Sequence, residues 1–207
     1  MRRIATRLGA STMSLYYYVH TKADLLALMD DALMGEILVP EGQLPREWRE
    51  AISAIARRTR DVFARHPWAL LSMQGAPPGP NAMRHFEQSL EALKDAPMSL
   101  ESKLAFLQLV DDFVFGHSLR TAEARTWSGG GSDLTRSAEA LGQELLKTGA
   151  FPHTAALFAR TNSQDAARNR QLVMQDRFEE ALEVVLDGAA QRLCQTPTPP
   201  AARPRDR

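Results

Sequence analysis

The chain has 207 residues, with 25 Lys and Arg against 25 Asp and Glu, 44% hydrophobic and 24% charged content, ordinary values for a soluble protein with a buried core. A single cysteine, Cys194, excludes an internal disulfide, and no apolar run reaches the roughly 18 residues of a membrane span. Arg2 and Arg3 are not followed by an apolar signal core, so a cytoplasmic protein without membrane association is expected.

Ile4, Ala5 and Leu8 lie at helical spacing, and Gly9 stops that first helix because glycine tolerates left-handed backbone geometry. Ser11 or Thr12 can cap a second short helix running to about Val19. Helix, glycine turn, helix is the sequence form of a helix-turn-helix. Through residue 22 the only charged side chains are Arg2, Arg3, Arg7 and Lys22, a face suited to a polyanion. Thr12, Met13 and Ser14 sit at the amino end of the second helix, where a groove-docked helix offers side chains to base edges. Leu15 and Val19 turn inward at helical spacing, so Tyr16, Tyr17 and Tyr18 cannot all be buried, and phenol hydroxyls can bond phosphate oxygens. Lys22 opens the next helix, where its charge and the helix amino terminus could both face a DNA backbone. A small buried hairpin with ordinary surface arginines is the competing reading.

Leu15, Tyr16, Val19, Lys22, Leu25 and Leu26 reproduce a Leu-Tyr-x-x-Val/Phe-x-x-Lys-x-x-Leu-Leu run. Through it, Met1 to about Met34 resembles the DNA-binding domain of tetracycline-repressor-type (TetR) regulators. The resemblance implies base contacts from Arg2, Thr12, Met13 and Ser14, and phosphate contacts from Tyr16, Tyr18 and Lys22. In that family the domain has three helices, and the first precedes the residue matching Met1. The expectation is therefore a start codon assigned too late or a truncated chain, with Ile4, Leu8, Leu15, Val19 and Leu25 short of cover.

Residues 22–38 read as one helix, with Leu25, Leu26, Met29, Leu33 and Ile37 near a 3.6-residue period and Asp24 favouring its amino end. Pro40, Gly42 and Pro45 break the chain and set the domain boundary: 1–38 as the helix-turn-helix head with its connecting helix, 39–194 as a helical ligand-binding and dimerisation domain. From Trp48, an amphipathic helix places Ile52, Ile55, Ala56, Val62 and Phe63 on one face, and His66-Pro67 ends it. Its Arg57, Arg58 and Arg60 read as a solvated face, with nucleic-acid contact as the alternative. Residues 67–80 combine Trp68, Leu70, Leu71 and Met73 with Gln74 and a Pro-Pro-Gly-Pro breaker. Such a segment can bend around a cavity or pack as a connector, and the resemblance implies inducer contacts there.

Residues 81–95 form a helix with Met83, Phe86, Leu90 and Leu93 as its stripe; Pro97 ends it, and Ser99 opens the next. That helix, about residues 100–124, is apolar on more than one face, which calls for cover on several sides. The last helix, about 176–194, carries Phe178, Leu182, Val185, Leu186, Ala189 and Leu193. Two such helices from each of two chains make a two-fold four-helix interface, as the TetR resemblance also implies; packing within one chain is the rival. Asp111, Asp112, His117 and Arg120 interrupt the long helix as ligand contacts, a polar network or a solvent edge. Asp112 and His117, five apart, miss the spacing of paired metal ligands, and the TetR resemblance places Asp112 where the tetracycline repressor has a metal-ligating histidine, so no metal or other cofactor is expected. Met73, Gln74, Phe86, Asp112, Phe113 and His117 are the candidate pocket residues.

A Trp127–Ser132 glycine loop, helices over 133–149 and 151–159, a polar stretch 162–170 and a proline-rich disordered tail, 195–207, complete the chain. No Gly-x-Ser-x-Gly elbow, His-Glu-x-x-His helix or paired-cysteine site is present, so no enzyme is expected. These readings converge on an all-α fold: a DNA-binding, ligand-responsive transcriptional repressor, homodimeric on a near-palindromic double-stranded operator, with a small-molecule effector. The alternative is a dimeric helical module that binds a small molecule or protein without reading DNA.

Overall fold

The computed structural model describes residues 1–72, 78–128, 133–159 and 177–192, all helices and connections with no strand among them. The helices are α1 (Arg2–Arg7), α2 (Thr12–Tyr18), α3 (Lys22–Ile37), α4 (Trp48–Arg65), α5 (Ala69–Ser72), α6 (Pro80–Ala92), α7 (Leu100–Ser128), α8 (Asp133–Lys147), α9 (Pro152–Ala159) and α10 (Phe178–Arg192). The chain forms two compact units, Met1–Ser118 with Glu180–Arg207, and Leu119–Glu179.

Local signals account for most of these ends. The Ser11 side chain accepts from the Ser14 N–H to cap α2. Thr21 and Asp24 form a reciprocal capping box at the start of α3. Glu47 caps α4 by accepting from Arg49 and Glu50 N–H, and His66 ends that helix before Pro67. The Ser99 hydroxyl accepts from Ser102 N–H ahead of α7. α7 continues four residues past the expected end at Ala124, through Trp127 and Ser128, which were expected to lie in a loop.

In the larger unit, α3 packs on α4, α5 and α6, and α4 also packs on α6. Ile37, Ile52, Val62, Leu70, Leu93, Phe106, Val114, Leu182 and Leu186 are almost wholly buried. Trp48 meets Phe106 edge-on with ring centres 5.9 Å apart, and Phe63 meets Phe115 at 6.1 Å, both favourable aromatic geometries. Arg49 donates to Glu183 and Asp187, each at 2.6 Å, joining α4 to α10.

Two elements depart from the pattern expected of them. Residues 67–72 include one helical turn, α5, which buries Ala69 and Leu70 while Leu71 stays exposed. On α6 the buried residues are Ser89 and Ala92, followed by Leu93, whereas Met83 and Phe86 are 56% and 44% exposed. α3 comes close to the amino end of α6, where a Cβ on Gly35 would lie 3.1 Å from Asn81 Nδ2. In the second unit, α8 packs on α9, and Leu141 and Leu145 remain exposed.

Candidate nucleic-acid interface

α1 ends in a doubly hydrogen-bonded turn that needs left-handed geometry. Ala10 N–H donates to Ala5 C=O at 3.0 Å and Gly9 N–H to Thr6 C=O at 3.2 Å, with Gly9 at φ +66°. The turn brings α2 against α1, so that Ala5, Leu15 and Val19 bury one another, with Met1 and Leu25 packed on them. Ile4 and Leu8 keep 37% and 66% of their surface exposed.

Apart from half-buried Thr12, the polar and aromatic residues of α2 are thereby turned outward. Met13, Tyr17 and Tyr18 are about four-fifths exposed and Tyr16 is 42% exposed. Tyr17 and Tyr18 meet edge-on with centres 5.1 Å apart. Thr12 is half-buried, while Ser14 is exposed and shares a 2.9 Å hydroxyl–hydroxyl bond with Ser11. Arg2, Arg3 and Arg7 are exposed on α1, and α1 and α2 have no acidic residue in their first turns. Lys22 is exposed at the first position of α3, whose amino end is built by Thr21 and Asp24. Hydrogen bonds from Thr21, side chain and backbone, hold the Asp24 carboxyl below its ordinary range. All seven residues expected to contact DNA thus belong to one small head, six of them exposed. Tyr17, which the TetR resemblance does not single out for DNA contact, is as exposed as Tyr18.

The expected pocket residues are less gathered. Phe113 and His117 are half-buried one turn apart on α7, their rings 6.2 Å apart. Asp112 is exposed on the same helix and Phe86 is exposed on α6. Met73 and Gln74, like the tail and the stretch 162–170, lie outside the described residues. Neighbouring Asp111 keeps an exposed edge, yet packing around its carboxyl, with the Asp112 charge, pushes it up to about 6. Burial likewise lowers the His85 pKa, and His85 Nδ1 and Ser118 Oγ are buried without a hydrogen-bond partner among the described residues. No cluster of three or more His, Cys, Asp or Glu placed to hold a metal occurs among the described residues.

A short cationic helix pair, carried on one long helix from an all-helical body, defines a helix-turn-helix transcriptional regulator. Residues 41–193 match the family described as "Tetracyclin repressor-like, C-terminal domain". The HTH-type transcriptional repressor DrrR1 of Streptomyces coeruleorubidus is 32% identical over 193 residues, covering 91% of this chain and 68% of that protein. An HTH-type transcriptional regulator of Saccharopolyspora erythraea is 38% identical over 117 residues, 56% of this chain and 49% of the relative. The crystal structure of the TetR family protein ActR of Streptomyces coelicolor, in complex with actinorhodin, matches with a TM-score of 0.68 and 26% identity, over 91% of this chain and 84% of that one. The chain belongs to the tetracycline-repressor-like (TetR) family. It is a DNA-binding transcriptional regulator, a reading these likenesses favour over a helical binding module that does not read DNA. No helix among the described residues is long and apolar enough to cross a membrane.

Proposed function

We propose that this regulator is a cytoplasmic homodimeric repressor, without enzymatic turnover, that leaves a near-palindromic operator when a small molecule binds its body. The observation that carries the reading is the cationic head: exposed Arg2, Arg3 and Arg7 with exposed Met13, Ser14, Tyr16 and Tyr18 on α1 and α2, which hold no acidic side chain, and exposed Lys22 at the start of α3. In this reading Arg2, Thr12, Met13 and Ser14 contact bases and Tyr16, Tyr18 and Lys22 contact phosphates. Residues 1–38 act as head and lever, 39–194 as the effector-binding and dimerisation body. Exposed Leu100, Leu104 and Leu109 on α7 and Val184 on α10 support pairing of these two helices with those of a second chain. A two-fold dimer presents two α2 helices to half-sites about one or more DNA turns apart.

Half-buried Phe113 and His117, with Asp112, Phe86, Met73 and Gln74, are the effector contacts, in keeping with a relative, ActR, seen with a bound small molecule. The effector favours one separation of the heads and the operator another, a coupling of about 1–3 kcal/mol for such systems. Selection of bound duplexes from a random pool, at two salt concentrations, tests the reading. Enrichment of an inverted repeat is expected, and a pool that stays random at low salt refutes it. Native mass spectrometry of the same preparation should show a dimer.

A further inference from the structure

The buried side of α2 fixes which of its side chains stand in the middle of the outward face. Leu15 and Val19 are the buried residues, seated on Ala5. Successive residues lie about 100° apart around a helix, so Tyr17 points directly away from the midline between Leu15 and Val19, and Met13 about 40° from that outward line. Tyr16 and Tyr18 fall about 100° to either side of it. Among the described residues, Met13 and Tyr17 are also the most exposed large hydrophobic side chains, at 80% and 78%. One turn apart, they form an apolar ridge along the middle of the face.

The ridge has little hydrogen-bonding capacity to offer. A thioether is a weak acceptor and no donor. Ser14, beside it, is already engaged: its N–H donates to Ser11 Oγ at 3.0 Å, and its hydroxyl bonds the same atom at 2.9 Å. Thr12 is half-buried. The Tyr17 ring stands edge-on to Tyr18, with centres 5.1 Å apart and planes at 86°, a contact that limits the positions open to it. Around the ridge Arg2, Arg3, Arg7 and Lys22 are exposed, and α1 and α2 hold no acidic side chain, so the surroundings complement a polyanion.

A helix fits the DNA major groove with its outward line toward the base edges and its flanks toward the phosphates. The one apolar feature that a base edge presents there is the thymine C5-methyl. Against any other edge the ridge desolvates donors and acceptors without bonding them. Against a methyl it removes apolar surface on both sides. We propose that Met13 and Tyr17 are the specificity-determining ridge of this regulator and read thymine C5-methyl groups in each operator half-site. The inference rests on the proposed function for the docking of α2, and adds to it Tyr17 and the chemistry of the base feature read. The two residues lie about 6 Å apart along the helix, the length of about two base steps, so the methyls belong to neighbouring base pairs.

Deoxyuridine, which pairs as thymidine does but lacks the methyl, tests this on the duplex that the full chain enriches from a random pool. The thymines of one half-site are replaced one at a time, and affinity is read by fluorescence anisotropy. At one or two neighbouring thymines the replacement should weaken binding about four-fold, the effect of burying one methyl-sized group. There 5-bromodeoxyuridine, whose bromine fills the place of the methyl, should restore it. In Met13→Ala or Tyr17→Ala, the thymine and deoxyuridine duplexes should bind alike at the matching position, because the partner of the methyl is gone. Tyr17→Phe should still tell them apart. Should an alanine variant bind too weakly to measure, Met13→Gln decides: polar at equal length, it should lose the discrimination. An enriched half-site without thymine, deoxyuridine that weakens binding nowhere, or discrimination that survives at every position in these variants overturns the inference. A pool that stays random at low salt sinks the proposed operator reading, whereas an enriched duplex indifferent to its methyls sinks the ridge alone.

Discussion

Replacing Gly9 by alanine isolates the turn that builds the DNA-reading head. Gly9 sits at φ +66°, and nothing lies within 4 Å of a Cβ built there, so the cost is conformational and not steric. An alanine held in that geometry costs about 1–2 kcal/mol. If the backbone instead relaxes to negative φ, the bonds from Ala10 to Ala5 and from Gly9 to Thr6 are lost, and α2 leaves its seat on Ala5. Either way the loss falls on the small cluster of Ala5, Leu15 and Val19, not on the core around Phe106 and Leu182. One to two kcal/mol corresponds to about 5- to 30-fold faster amide exchange at Leu15 and Val19, if those amides exchange by opening of the head. Asparagine, which visits left-handed geometry more readily than alanine, should accelerate exchange less. Hydrogen exchange resolved by residue reads both outcomes. The reasoning fails if alanine leaves Leu15 and Val19 unchanged, or if it speeds the α4 amides to the same degree.

Leu182→Ala, at a fully buried site on α10, should lose about 2–5 kcal/mol of stability by urea unfolding, and a loss under half a kcal/mol would place Leu182 outside the core. Lys22→Ala should flatten the salt dependence of duplex binding by about 0.9 in the log–log slope per protomer, and an unchanged slope would take Lys22 off the phosphates. The Asp111 carboxyl titrates near 6 in the folded chain against an ordinary 3.8, so the fold binds its proton more tightly than the unfolded chain does, and stability falls as pH rises between those values. Asp111→Asn should therefore raise the melting temperature slightly at pH 7.5 and not at pH 3.5, the exposed edge of the residue keeping the gain small.

The head was legible because its determinants are local. Gly9 stops α1 and Ser11 caps α2 through interactions spanning five residues or fewer, and the Leu15/Val19 spacing turns the tyrosines outward once α2 folds back on Ala5. The position of α6 was legible from Pro80 and the apolar period, and its orientation only at its carboxyl end. Of the expected stripe, Leu93 is fully buried and Leu90 half-buried, whereas Met83 and Phe86 are exposed and Ser89 and Ala92 are buried in their place. The cap on α6, where the Asp31 carboxylate accepts from Asn81 N–H and Ala82 N–H, was invisible for a related reason: an acceptor 50 residues before its first donor leaves no local pattern in either segment.

From the order of its residues alone this protein determined where most of its helices begin and which short pair carries the cationic, acid-free face, though not the turn of α5 or the end of α7. Caps, glycine turns and 3.6-residue periods act within a turn or two of the chain. Only the tertiary structure decided which residues of α6 are buried, that Asp31 of α3 caps α6 while Gln88 pairs with the Val39 backbone, and that Phe113 and His117 sit half-buried side by side. Burial and long-range hydrogen bonds depend on the surface that arrives from elsewhere, and no residue carries that in its neighbours.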